Sequence, residues 1–419
     1  MKKKLLLVMS LLLLSGCSIY NEYKVPENVI LKTKKKTYEV YSKHKIKELI
    51  KDKNVKILNL DEEINTKKIG KNSATIEYKY KFWKHKMKVK YTVKDTLPPT
   101  LITSKLSYYN SINDEINFCS NTIFIDNYDR QPKCSIEGDY NISEPGSYDL
   151  KYVIKDNSDN TTYQAFNLTL VDEDNNYYSN DEENDDENDN NIDDYFEEVT
   201  NEVQEVGVKF KDVIKSHKKD NSMIGIDVSR WQGDIDYNKV KKAGAEFVIM
   251  RMAVSNGKHD KIGLDSYYKK NILKAKNAGL KVGVYVYTAA SSEKEVIEQA
   301  KYVRKELKKT KLDFPIAYDF ESWDDIQKLK LNKYDLINYV DKFYEEVHKD
   351  GYDVMIYGSK LYLENAWDNK DYPVWLAHYV PKPSDKSSYE GDYILWQIAS
   401  DGIIDGINGY VDIDIYYKK

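Results

Sequence analysis

Two acidic residues two positions apart close a short apolar run, Pro315-Ile316-Ala317-Tyr318-Asp319-Phe320-Glu321. On a β-strand that spacing puts both side chains on one face. Carboxyls held side by side repel, so one keeps its proton to higher pH. Such a pair can protonate a leaving oxygen and steady the positive charge that develops at the carbon left behind, which is the chemistry of glycosidic bond cleavage. Two more aspartates fall in strand-like runs, Asp227 in Met223-Ile224-Gly225-Ile226-Asp227-Val228-Ser229 and Asp412 in Gly409-Tyr410-Val411-Asp412. A lone strand-end aspartate is more often a cap or an ion-pair partner. Three separate runs supplying carboxylates point instead to a shared site.

What must position these groups is a set of eight apolar runs, at 223–229, 246–254, 281–289, 314–321, 353–359, 373–379, 392–400 and 409–417. Helical patterns separate the early ones, at 236–243, 265–278, 292–308, 332–350 and 359–367. Alternation of strand and helix predicts a parallel sheet. Eight strands predict closure into a β/α (TIM-like) barrel, with its chemistry at the strand ends. Only eight residues separate the last two runs, whereas a parallel crossover takes a dozen or more. At least one late strand is therefore expected to run antiparallel, leaving about five helices rather than eight. Asp412 joins the mouth only if its strand runs antiparallel or curls inward.

These residues carry a family resemblance. Gly225-Ile226-Asp227-Val228-Ser229-Arg230-Trp231-Gln232-Gly233 and Pro315–Glu321 are followed by Val374-Trp375-Leu376-Ala377-His378-Tyr379, Leu395-Trp396-Gln397 and Gly409-Tyr410-Val411-Asp412. In that order they resemble glycoside hydrolase family 25, whose members are lysozymes, or N-acetylmuramidases. The resemblance covers 223–417. It implies a barrel of eight strands and five helices that cleaves the β-1,4 bond between N-acetylmuramic acid and N-acetylglucosamine in peptidoglycan. It further implies that Glu321 is the general acid and that Asp319 steers the substrate N-acetyl group or stabilises the cationic intermediate. Asp227 and Asp412 would hold the site electrostatically and bind sugar. Inversion and attack by the N-acetyl oxygen both fit this set. Tyr285, Tyr287, Trp375, Tyr379 and Trp396 are candidate sugar platforms, of which strand alternation turns some outward into packing. No metal motif is present and no cofactor is expected. A glycan-binding barrel without catalysis is the alternative. A chitinase-like barrel would need a D-x-x-D-x-D-x-E run, and Lys311 to Glu321 offers only Asp313, Asp319 and Glu321.

The remaining residues read as delivery and spacing. The chain has 419 residues, 41% hydrophobic and 32% charged, with a net charge of −5 that argues against nucleic-acid binding. Its 37 Tyr suit carbohydrate contact and equally fit a Lys-, Asn- and Tyr-heavy composition. Three Lys and an apolar core from Leu5 to Leu14 are too short to span a bilayer and fit a secretory signal. Leu14-Ser15-Gly16-Cys17 resembles a bacterial lipobox, so Cys17 is expected to carry lipid and hold the protein on the extracellular face of a bacterial membrane. Outside the cell Cys119 and Cys134 can oxidise, closing a loop of about 15 residues that is worth roughly 3 kcal/mol.

Residues 24–95 hold 21 Lys, no Arg and 9 acidic residues, a net of +12. Period-two alternation there predicts a hairpin turning near Trp83-Lys84-His85, with one face nearly all Lys. Such a face fits contact with anionic lipid headgroups or wall polymers, and it equally fits lysines that only keep an exposed sheet soluble. Residues 96–172, with Asp95-Thr96-Leu97-Pro98-Pro99 before them and Glu144-Pro145-Gly146-Ser147-Tyr148 within, resemble bacterial immunoglobulin-like modules. Two all-β sandwich modules are thus expected ahead of the barrel. From 172 to 198 there are 14 acidic residues in 27 and no Lys or Arg, which predicts an acidic disordered linker and stalk over 173–221. The catalytic barrel is then expected over 222–419.

Overall fold

The computed structural model describes residues 32–34, 36–52, 55–172, 207–255, 261–367 and 371–418. Cys17 with its signal, and most of the acidic stretch, lie outside the described residues. The chain divides into two compact units, Met1–Asp95 and Thr96–Lys419.

In the second unit the eight apolar runs form β1 (Ser222–Val228), β2 (Phe247–Val254), β3 (Lys281–Thr288), β4 (Ile316–Phe320), β5 (Val354–Ser359), β6 (Val374–Ala377), β7 (Leu395–Gly402) and β8 (Val411–Tyr417). Strands β1 to β7 pair in parallel from neighbour to neighbour. β8 closes the ring, antiparallel to both β7 and β1. The short β7–β8 connection dictates that reversal. A two-residue strand, Gly263–Leu264, pairs on the outer end of β2.

Helices α1 (Phe210–His217), α2 (Tyr237–Lys242), α3 (Tyr268–Asn277), α4 (Glu293–Leu307), α5 (Ile326–Leu329), α6 (Lys333–Val347) and α7 (Lys360–Asn365) surround this sheet. α4 shows why such segments are helical. Ser292 caps it by accepting from the Glu295 amide, and Val296, Ala300, Val303 and Leu307 fall on one buried stripe. Two apolar layers result. One lies between sheet and helices; the other fills the lower barrel interior with Met223, Phe247, Ile249, Phe314, Met355 and Leu395.

The barrel begins earlier than residue 222. Phe210 and Val213 of α1 are buried in the outer layer, and the Phe210 amide donates to the Ile403 carbonyl. Residues 207–221 therefore belong to the folded barrel rather than to a stalk.

Residues 100–171 form two antiparallel-rich sheets. One joins 133–137, 146–155, 161–171 and 107–111; the other joins 100–104 and 122–125. Tyr108, Phe118, Leu150, Tyr152, Ile154, Phe166 and Leu168 make their core, and Cys119 is bonded to Cys134. This part is docked on the barrel at the start of α6. The Arg130 guanidinium donates to both Asp335 oxygens at 2.6 and 2.7 Å, the Lys333 amide to the Asp126 carbonyl, and the Asn332 side-chain amide to the Tyr128 carbonyl. Ile125 is buried in the same outer core layer as the barrel helices.

The first unit is also built of strands. Its four-stranded sheet runs in the order 37–39, 83–94, 70–80, 56–57. Ile76, Tyr78, Val89, Tyr91 and Val93 face its core. Its hairpin turns at Lys81-Phe82, with Tyr80 opposite Trp83, not at Trp83-Lys84-His85. Inward residues are even-numbered on one arm and odd-numbered on the other, so the loop must hold an even number of residues. A three-residue loop at 83–85 would set Tyr78 opposite Lys90 and break the apolar face.

Candidate active site

The barrel interior changes character toward one end. Odd-numbered residues point inward on β1, β3, β4, β5, β6 and β7, and even-numbered ones on β8. At the bottom these are Met223, Ala317, Met355, Leu395 and Tyr416. At the top they are Asp227, Tyr285, Tyr287, Asp319, Tyr357, Gln397 and Asp412. The top is where the parallel strands end and where antiparallel β8 begins. That reversal brings Asp412 to the mouth, directly opposite Asp227 in the β1–β8 ladder.

All four expected carboxylates, Asp227, Asp319, Glu321 and Asp412, line one open pocket of about 450 Å³. Asp319 is fully buried, and its Oδ1 has no hydrogen-bond partner among the described residues. Burial first, then the Glu321 and Asp227 charges, push its pKa well above the usual carboxylate range, while Arg251 pulls the other way. Glu321 is exposed at the rim just beyond β4, and partial desolvation of its carboxyl still raises its pKa. Asp412 is pushed up to about 9 by burial and by the Asp227 charge. With so many acids in one low-dielectric space, full ionisation is unfavourable and protons are retained near neutral pH.

A second ring of groups sets the geometry. Gln397 donates from Nε2 to Asp227 Oδ2 at 2.7 Å. The hydroxyls of Tyr357 and Tyr379 both donate to Gln397 Oε1, each at 2.9 Å, which fixes the amide's orientation. Below Asp227 lies Asp414, fully buried, whose Oδ1 accepts from Trp375 Nε1 at 2.8 Å. Burial first, and then the neighbouring carboxylate charges, raise the pKa of both Asp227 and Asp414. Arg251, from β2, is held by Asp265 through Nε at 2.8 Å.

Of the expected sugar platforms, Tyr285, Tyr287, Trp375 and Tyr379 line the pocket. Tyr379 is exposed and Trp375 is buried in the floor. Trp396 is not part of the site. It is buried outside the ring, donates from Nε1 to the His378 carbonyl and packs against His217. Alternation explains the correction: its neighbour Gln397 faces inward, so Trp396 must face out. Asp414, Gln397, Tyr357 and Arg251 were not singled out from sequence. The spacing Asp412-Ile413-Asp414 repeats the two-residue rule already applied to Asp319 and Glu321, and was the available signal. Trp231, 73% exposed with the Arg230 guanidinium over its ring, stands at the rim.

Residues 226–407 match the family model described as glycosyl hydrolases family 25. An autolytic lysozyme of Clostridium acetobutylicum is 33% identical over 200 residues, covering 46% of this chain and 55% of that protein. The protein YegX of Escherichia coli K12, itself uncharacterised, is 31% identical over 195 residues, covering 46% of this chain and 68% of its own length. The modular autolysin LytC of Streptococcus pneumoniae, solved in complex with a synthetic peptidoglycan ligand, aligns with a TM-score of 0.41 at 26% identity over 48% of each chain. The chain thus spans about half the length of the lysozyme from Clostridium and of the autolysin.

Proposed function

The chain belongs to glycosyl hydrolases family 25, and on that premise we propose that it is a lysozyme-type peptidoglycan hydrolase. The bond cleaved is the β-1,4 link from N-acetylmuramic acid to N-acetylglucosamine. The observation that carries this reading is the meeting of Asp227, Asp319, Glu321 and Asp412 in one pocket, two of them from adjacent ends of a closed ring.

In this reading Glu321, at the solvent-facing rim, gives its proton to the glycosidic oxygen as the bond from the muramic C1 to that oxygen breaks. Positive charge builds on C1 and the ring oxygen. Asp319, buried and short of hydrogen bonds, is set to meet that charge or to orient the N-acetyl group that does. Water then adds to C1, and Glu321 recovers its proton. Electrostatic stabilisation of this kind is strongest where water is excluded and the groups are held in advance, which is the role of Gln397, Tyr357 and Tyr379 around Asp227. Tyr287 and Tyr379 offer ring faces to sugar along the same pocket.

The lipobox-like segment ending in Cys17 supports a location on the outer face of a bacterial membrane. The strand-built segments before the barrel support immunoglobulin-like modules that carry the enzyme there. Digestion of purified peptidoglycan by the full chain, with mass spectrometry of the new reducing ends, tests the activity. Ends in N-acetylmuramic acid are expected. Ends in N-acetylglucosamine, or glycan bound but uncut, overturn it.

A further inference from the structure

The hairpin of the first unit, Gly70–Tyr80 paired with Trp83–Lys94, runs past its own core. Tyr78 is buried and Tyr80 half-buried, but the turn beyond them is bare: Phe82 is 90% exposed and Trp83 59% exposed. Lys81 and Lys84 flank the two rings and are exposed too. The outward face behind the tip carries Lys79 opposite Lys84, Glu77 opposite Lys86, Thr75 opposite Lys88 and Ser73 opposite Lys90. Glu77 is the one acid in those rows, and it pairs with Lys86 at 2.6 Å.

We propose that this tip is a membrane-seating element, with Phe82 and Trp83 entering the headgroup region of a bilayer rich in anionic phospholipid while the lysines contact lipid phosphates. Two features select this partner. Basic rows draw the hairpin to a negative surface, where each lysine adds to binding. Bare aromatic rings at the apex need an apolar medium, and Trp and Phe beside cationic residues are the composition that settles at the membrane interface. A soluble or wall-bound polyanion would satisfy the lysines and leave both rings in water. The two-residue turn with Lys81 at φ +53° brings the strands together in the tightest loop a hairpin uses, so the rings are presented on a stiff support. The proposal concerns the first unit alone and does not depend on the catalytic reading or on lipid at Cys17.

The test uses the protein comprising residues 18–419, which keeps every described residue and lacks the signal. It is sedimented with phosphatidylcholine vesicles with and without phosphatidylglycerol. Binding is expected to the mixed vesicles only, and Phe82→Ser with Trp83→Ser together should lower the partition coefficient about tenfold or more. A second measurement locates the ring: brominated lipid should quench tryptophan emission in the parent, and Trp83→Phe should lose that quenching while still binding. Equal binding of the double serine variant, equal binding to neutral and mixed vesicles, unchanged quenching in Trp83→Phe, or binding to purified anionic wall polymer with none to vesicles would each overturn the proposal.

Discussion

Glu321 stands at the exposed rim, and desolvation of its carboxyl raises its pKa, so replacing it with the isosteric amide tests the acid's role proposed for it without removing packing. Glu321→Gln is expected to lower kcat by about 10²-fold or more, with a Tm at neutral pH no lower than the parent's because a repulsive charge is removed; a variant of near-normal activity would remove Glu321 from the acid's role. Asp412 yields a stability prediction with a definite sign. Its folded-state pKa of about 9 lies above its ordinary value of 3.8, so the native state holds a proton that the unfolded chain releases. That contribution is present below about pH 4 and is lost as pH rises through about 9. Asp412→Asn should therefore unfold at a higher Tm than the parent at pH 8, a gain on the order of 1 kcal/mol or more, with little difference at pH 4; a gain of equal size at both pH values would refute the linkage. The four carboxylates were legible because acids at strand ends are conspicuous. Asp414 was less so, since its work is done by contact with Trp375 and Asp227 across 39 and 187 positions, which no local pattern records.

At the scale of the element, alternation within each strand decides what faces the pocket, and the strands themselves were legible from their apolar runs. The direction of β8 was also legible, through the length of its connection. Two details were not. Trp396 depended on knowing which of two neighbours turns inward, and the hairpin turn at Lys81-Phe82 depended on matching the parity of both arms at once. β1 makes a testable demand of its own. Gly225 lies two residues before Asp227 on the inward face, opposite Asp414, and a Cβ there would come 2.5 Å from the Phe247 carbonyl oxygen. Backbone cannot yield as a side-chain tip would. Gly225→Ala should destabilise the barrel by about 1–3 kcal/mol and lower kcat more than it raises KM, because the shift is passed along β1 to Asp227. Wild-type stability in urea unfolding would count against that close approach.

For the second unit as a whole, the acidic stretch changes meaning. It was expected to separate the modules from the barrel, yet the segment ending near residue 171 is docked on α6 and the chain re-enters the barrel at 207. Both ends of the stretch are thus held by one folded body, so its length does not set the distance between them. A protease site placed within 181–189 should leave the two pieces co-eluting after cleavage, with glycan digestion intact. Arg130→Ala in the cleaved protein should weaken their association about tenfold. Pieces that separate at once in the cleaved protein with Arg130 intact would show that only the covalent link joins them. The sequence could not reveal this docking, because Arg130 and Asp335 lie 205 positions apart and each looks like an ordinary surface charge. The reversed strand β8 has a consequence in time. It leaves the ribosome after every other strand of the barrel, and it alone bridges β7 to β1 while delivering Asp412 and Asp414. Until those residues emerge the ring is open and the acid cluster incomplete, so a growing chain that has made seven strands of the barrel still has no assembled pocket, and the pocket closes only once β8 is in place.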